Sequence, residues 1–177
     1  MHTDGLLTLR RQDADDLDAH MSAVDDEQTD WLWEPGDRAV WEAMSPGEQR
    51  EHQRRHLQAV HESFGPGPKW CFSVDAPESR YVVYVDCDLA NPNVPRGQAN
   101  ISYACHPAHR GKGYTSRAVR LVCAFLRDHT NANEAHIVVD VRNEASLRVA
   151  KAVGAVQVES VIDKHGRTMV RHVLSIV

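Results

Sequence analysis

Residues 99 to 129 constrain this chain more than any other stretch. They read ANISYAC, then HPAHRGKGYTS, then a run that ends near His129. ANISYAC (99–105) reads as a strand. From Tyr114 onward Ala118, Leu121, Val122 and Phe125 fall at helical spacing, and Val119 and Leu126 widen the stripe. A strand that runs through a glycine-rich turn into a helix aims several backbone N–H groups at one spot. The helix dipole adds partial positive charge there. Gly111 and Gly113 permit a positive φ and a close approach of the backbone, while Arg110 and Lys112 add full charges. The stretch is therefore either an anion site suited to a phosphate or a turn that merely begins a helix. Two familiar phosphate motifs fail. A Walker A loop needs glycine where His106 stands, and the dinucleotide fingerprint needs its third glycine where Ser116 stands.

The flanking segments predict the layout. LLTLR (6–10) is a strand, followed by a short acidic helix over 13–23. Residues 24–44 show no clean period and hold Trp31, Trp33 and Trp41. Ser45 as N-cap, Pro46 at the first helical position and Glu48 closing a capping box start a helix over 45–64. Strands follow at 69–75, 80–88 and 99–105, the second with a continuous apolar run expected of a strand covered on both faces. After the central helix come a strand over 136–141, a helix over 144–153 stopped by Gly154, and strands over 155–162 and 168–176. This order predicts an α/β (mixed α+β) fold. A mixed, mostly antiparallel sheet of six to seven strands is flanked by helices, with a parallel β-α-β centre.

Charge narrows the partners. Eleven acids (Asp13, Asp15, Asp16, Asp18, Asp25, Asp26, Glu27, Asp30, Glu34, Asp37 and Glu42) face one base, Arg38, between residues 13 and 42. That segment carries −10, so the remainder of a chain at −5 overall carries +5. The asymmetry predicts two surfaces with opposite ligand preferences. No basic, aromatic-laced stripe suits nucleic acid, and no apolar run reaches the roughly 20 residues of a membrane span. The first residues lack the basic-then-apolar pattern of a signal peptide, which predicts a cytoplasmic protein. Cys71, Cys87, Cys105 and Cys123 form no CxxC pair and read as free, buried thiols. Cys105, His106 and His109 lack a second half to complete a metal site, so no metal is expected.

Together, YACHPAHRGKGYTSRAVRLVCAFL and, some thirty residues on, VVDVRNEASLRVAKAVGAVQV resemble the GNAT superfamily of N-acetyltransferases, in particular its RimJ/RimL-like branch. The resemblance covers roughly residues 5–10 and 69–177. It implies one GNAT-type domain over 1–177, with 24–64 as a variable acceptor-side region. It also implies acetyl-CoA (coenzyme A) as acyl donor. The backbone amides of Arg110, Gly111, Lys112, Gly113, Tyr114 and Thr115 would surround its pyrophosphate. Backbone groups of Tyr103, Ala104 and Cys105 would meet the pantetheine amides, and Asn143 and Ser146 fall on the second motif. Arg117, Arg142, Arg148 and Lys151 either add positive field around the phosphates or are solvated charges.

Acetyl transfer needs a neutral amine, a stabilised oxyanion and a stabilised leaving thiolate. The chain departs from the family at two of these. The tyrosine that usually serves the thiolate would stand where Ala150 is, which leaves Ser146 as the hydroxyl in reach. The glutamate often found on the strand before the loop is replaced by Asn100, which orients a water but accepts no proton. Asp86, Asp140 and Glu34 are the candidate carboxylates for the base. A covalent route through Cys105 has no evident base to activate the thiol. The expected acceptor is a primary amine on a small cationic molecule, acetylated by direct transfer and recognised by Asp26, Trp31, Trp33 and Glu34. Acetylation of a protein or peptide N-terminus and a non-catalytic CoA-binding module are the alternatives. A homodimer fits either enzyme reading.

Overall fold

The computed structural model describes residues 2–65 and 67–176. Its eight strands form one sheet in the order β1-β2-β3-β4-β5-β6-β8-β7. They are β1 (His2–Thr3), β2 (Thr8–Arg11), β3 (Lys69–Ala76), β4 (Ser79–Asp88), β5 (Ala99–Cys105), β6 (Glu134–Asp140), β7 (Val156–Ile162) and β8 (Thr168–Ser175). All neighbours are antiparallel except β5 and β6. The mixed, mostly antiparallel sheet is therefore as expected, with one two-residue strand more than the sequence predicts. The helices are α1 (Leu17–Ala23), α2 (Asp26–Leu32), α3 (Asp37–Glu42), α4 (Pro46–Ser63), α5 (Tyr114–His129) and α6 (Glu144–Val153).

Caps fix the helix starts. The Ser45 side chain accepts from the Glu48 N–H while the Glu48 carboxylate accepts from the Ser45 N–H, and Asp13 and Asp16 build the same reciprocal box before α1. α5 buries Ala118, Val119, Leu121, Val122, Phe125 and Leu126 against the sheet. Phe125 meets Phe72 and Trp70 edge-on, with ring centroids 4.9 and 5.4 Å apart. Val74, Val83, Val85 and Ile137 complete this core. β4 is buried on both faces, as its continuous apolar run predicts.

On the other face, near α1 and α4, charge is buried with its partners. Arg10 pairs with Asp16 at 2.5 Å and Asp75 at 2.7 Å, and the Ser73 hydroxyl donates to Asp16. Beside this cluster His20 links Tyr81 and Gln53. β7 lies at the sheet edge and is exposed along its whole length.

The parallel pair positions everything that follows. β5 and β6 pair only at Ala99 with Ala135 and Asn100 with His136, at the start of both strands. Beyond that point β5 stays on β4 as far as Cys105, and β6 stays on β8 as far as Asp140. The sheet therefore opens as a wedge from Ile101 onward, and the Arg-Gly-Lys-Gly turn stands at its mouth.

Candidate active site

Gly111 and Gly113 have φ of +78° and +74°, a left-handed conformation that a side chain resists. Among the described residues, the N–H groups from Gly111 through Ser116 have no hydrogen-bond partner, and the first one used in α5 is that of Arg117, to the Gly113 carbonyl. The Arg110 N–H is engaged by the Pro107 carbonyl at 3.4 Å. The row of free donors is thus shifted by one residue from the expected Arg110–Thr115 and gains Ser116. No Cβ added at either glycine would meet a neighbour, so the turn encloses open space. Unbonded amides around a space at a helix N-terminus fit a pyrophosphate.

The charged side chains of the turn point elsewhere. Lys112 lies 3.5 Å from Glu78 and over the Tyr114 ring, and the Tyr114 hydroxyl donates to the same Glu78 carboxylate. Arg110 reaches back to the start of α2, at 2.8 Å from Asp25 and 2.7 Å from Glu27. Burial works against the Asp25 charge, yet the Arg110 hydrogen bond holds its carboxyl below the usual range. Two more contacts run alongside. The Gln28 amide donates to the Cys105 carbonyl at 3.2 Å, and Ser22 Oγ lies 3.1 Å from His106 Nε2. The turn between α1 and α2 is therefore stapled to the end of β5 and to the glycine loop.

Of the other bases, Arg117 pairs with Asp4, Arg142 with Asp140 and Arg148 with Glu144, while Lys151 has no ion-pair partner among the described residues.

Deeper in the wedge the two faces of the sheet differ. Tyr103 is on the α5/α6 face, opposite Val85. Its hydroxyl lies 2.7 Å from Ser146 Oγ on α6, so a strand residue and a helix residue close the wedge together. Burial pushes the Tyr103 phenol up to about 12, against the pull of the Ser146 bond. Ser146 is placed by the cap of its own helix, since Asn143 Oδ1 accepts its backbone N–H at 3.0 Å. The Asn-x-x-Ser pattern is thus a helix cap that leaves the Ser146 hydroxyl to meet Tyr103 across the wedge. Ala104 follows on β5, paired with Tyr84.

On the opposite face Asn100 is nearly buried and donates to Ser102 Oγ at 3.3 Å. Asp86 pairs across the strands with Ser102, accepts from the Tyr84 hydroxyl at 3.0 Å and meets Lys69 at 3.2 Å. Of the three candidate carboxylates it alone sits beside Asn100. Asp140 is held by Arg142 at the far end of β6, and Glu34 lies against His165 and Lys164 of the β7–β8 turn. The Cys105 thiol donates to the Val82 carbonyl, and burial raises its pKa, so it stays protonated rather than nucleophilic.

The expected acceptor residues do not come together. Trp31 lines a cavity of about 480 Å³ between α2 and the start of α6, with Glu27, Asp30, Arg142, Asn143 and Glu144 among its walls. Arg142 stands over the Trp31 ring at 5.8 Å. Trp33 and Asp26 line a second cavity, of about 370 Å³, toward α3 and α4, where Trp33 meets Trp41 edge-on. The reason is local: Trp31 lies in the last turn of α2, whereas Trp33 is its C-cap, where the backbone has turned extended at φ −92° and ψ 148°. Asp26 is also paired with Arg38, and Glu34 with His165 at 2.6 Å, so neither carboxylate is free. Sequence reasoning missed the Tyr103 phenol, whose partner is 43 residues away, and the Arg110 staple to α2.

No helix among the described residues is long and apolar enough to cross a membrane. The acetyltransferase (GNAT) domain family matches residues 6–156. No curated protein sequence matches the chain. Solved structures match it over nearly its full length. A Salmonella typhimurium acetyl transferase that modifies the N-terminal serine of 50S ribosomal subunit protein L7/L12 superposes with a TM-score of 0.76 at 15% identity, covering 98% of this chain and 97% of that one. Mycobacterium smegmatis RimJ, in complex with CoA-disulfide, gives 0.76 at 15% identity over 97% of this chain and 82% of that one. A spermidine N-acetyltransferase SpeG chimera from Vibrio cholerae and hSSAT gives 0.72 at 15% identity over 97% and 96%. With the family matched over most of the chain and the fold shared with these structures over nearly its full length, the protein belongs to the GNAT superfamily, as an acetyl-CoA-dependent N-acetyltransferase.

Proposed function

We propose that the acceptor is a primary amine on a small, positively charged molecule, and that it enters the cavity between α2 and α6. The observation that carries this reading is the wall of that cavity: an indole face, Trp31, flanked by the carboxylates of Glu27 and Asp30, which line it even though each also holds an arginine, Arg110 and Arg38. Its volume suits a small molecule. The Arg142 guanidinium already over Trp31 supports the ring as a seat for a cation. Asp26, Trp33 and Glu34 then act at a distance from the amine, through the packing of α2 and α3. One domain over 1–177 carries the activity, with 24–64 as its acceptor-side region.

When bound, acetyl-CoA supplies the activated acetyl group. The free amides from Gly111 to Ser116 hold its pyrophosphate, and the wedge edge of β5 at Tyr103, Ala104 and Cys105 receives its arm. Asn143 and Ser146 shape the far wall. On the opposite face Asn100 orients a water toward the amine, and Asp86, beside it, takes the proton. The leaving thiolate is met on the Ser146 side, so proton removal and proton delivery occur on different faces of the sheet.

A second reading, acetylation of a protein N-terminus, is favoured by Arg142 and Arg148 in the same cavity, because they suit carboxylates flanking an N-terminal amine. Steady-state kinetics with a panel of polyamines, aminoglycosides and N-terminal peptides separates the two. For a cationic acceptor, KM rises with salt, and Trp31→Ala or Asp30→Asn raises it while the acetyl-CoA KM holds. A preferred acceptor that is neutral or acidic, indifferent to both changes, refutes the proposal.

A further inference from the structure

The geometry points to Tyr103, not Ser146, as the group that gives a proton to the departing sulfur, with Ser146 as the residue that positions it. This inference rests on acetyl transfer as the reaction and concerns which hydroxyl serves it. On α6 the residue one turn beyond Ser146 is Ala150, which is fully buried and brings no hydroxyl to that face. The phenol that meets Ser146 comes from the opposite wall, from β5. Tyr103 lies in the part of β5 that has left β6, so its ring borders the opening itself. Among the described residues its oxygen has no partner but Ser146, whose Oγ is at 2.7 Å and whose carbonyl is at 3.4 Å.

Two hydroxyls at that separation share one hydrogen; when Ser146 donates it, the Tyr103 proton is held only by the longer contact to the Ser146 carbonyl at 3.4 Å and can turn to the departing sulfur. A phenol is the stronger acid of the two. Even with burial raising it to about 12, Tyr103 parts with a proton more readily than an alcohol does. No charged side chain perturbs it: burial and the Ser146 bond are its only influences among the described residues. Its proton is therefore neither drawn off by a neighbouring carboxylate nor displaced by a neighbouring cation.

The step balances without a further reactant. Once the amine nitrogen has bonded to the acetyl carbon, the carbon–sulfur bond breaks, its electron pair stays on sulfur, and the Tyr103 Oη proton moves to that sulfur. Ser146 Oγ–H donates to the phenolate oxygen left behind. Solvent water returns a proton to Tyr103 as the thiol product leaves, and the amine's proton departs on the Asn100–Asp86 face.

Tyr103→Phe removes one oxygen and keeps the ring, and Ser146→Ala removes the partner. Calorimetric titration with CoA and with desulfo-CoA, from about pH 7 to about pH 9, reads the contact without turnover. Wild-type protein should bind CoA about tenfold more tightly as its thiolate forms, for one hydrogen bond to a charge, while desulfo-CoA binding stays flat. Tyr103→Phe should lose that rise, and Ser146→Ala should keep part of it. In turnover, kcat should fall about a hundredfold in Tyr103→Phe and about tenfold in Ser146→Ala, with the acetyl-CoA KM moving less than about twofold. A full pH-dependent rise retained in Tyr103→Phe overturns the proposal alone, as does its loss in Ser146→Ala only. Wild-type protein that binds neither CoA nor desulfo-CoA overturns the acetyl-transfer reading and the proposal with it.

Discussion

Acid should loosen this protein through His20. Its Nδ1 lies 2.6 Å from the Tyr81 hydroxyl and its Nε2 lies 3.0 Å from Gln53 Oε1. These partners fix the neutral ring with the proton on Nε2, Tyr81 donating to Nδ1. Burial first, and then the stacked His56 ring 6.0 Å away, lower its pKa from 6.5 to about 4; Asp16 and Gln53 pull weakly the other way. A histidine depressed in the folded state binds fewer protons there than in the unfolded chain. Its contribution is therefore complete above about pH 6.5 and is lost as the pH falls toward about 4. Going from about pH 7.5 to about pH 5 should cost up to about 2 kcal/mol from this one ring. For a chain of this size that corresponds to about 4–8 °C in Tm. Urea unfolding of wild-type protein and His20→Gln at both pH values isolates the effect, because the other histidines titrate in both. The variant should lose about 2 kcal/mol less than wild type on acidification. An equal loss in the two proteins would refute the assignment.

Other outcomes follow from the site. Gly113→Val places a β-branched residue at φ +74° without a steric clash, so it should cost about 1–2 kcal/mol of stability by thermal unfolding. The same variant should weaken CoA binding at least about tenfold by calorimetry, because the amide row no longer holds its curve. Asn143→Ala removes the cap of α6 and should destabilise the protein by about 1 kcal/mol, measured by urea unfolding. Glu78→Ala frees Lys112 and Tyr114 from their shared partner. Since the free amides are backbone groups, it should change the acetyl-CoA KM less than Gly113→Val does.

Much of the fold was legible because the residues that build it repeat at the period of their element. The stripe of α5, the Ser45 box of α4, the Gly154 stop of α6 and the apolar run of β4 each state their structure locally. α2 and α3 did not, because they carry almost no apolar face: Thr29 is the one buried residue of α2, and α3 buries none. Their starts are set by the Asp25 side chain and by Gly36 at positive φ, and ion pairs through Arg38 tie α3 to α2. The glycine loop was readable as a turn into a helix, since its two glycines at positive φ need only the right local sequence. The destination of its Arg110 side chain was not, because Asp25 lies 85 residues earlier in the chain. Nor could spacing show that Tyr103 and Ser146 meet. Only the divergence of β5 from β6 gives the phenol room to cross.

The Arg110 staple makes donor and acceptor each other's business. α2 begins at the loop, held by Asp25 and Glu27, and ends in the cavity that Trp31 lines. If the donor sits on the glycine loop and the amine in that cavity, as proposed, a donor that draws the loop inward changes the seat of α2, and an amine that wedges α2 outward changes the loop. The two affinities are then one quantity measured from two ends. Whatever factor acetyl-CoA imposes on the dissociation constant of the amine, the amine imposes on that of acetyl-CoA. Arg110→Met, which keeps the loop's backbone and cuts the staple, should bring that shared factor toward one in both titrations at once.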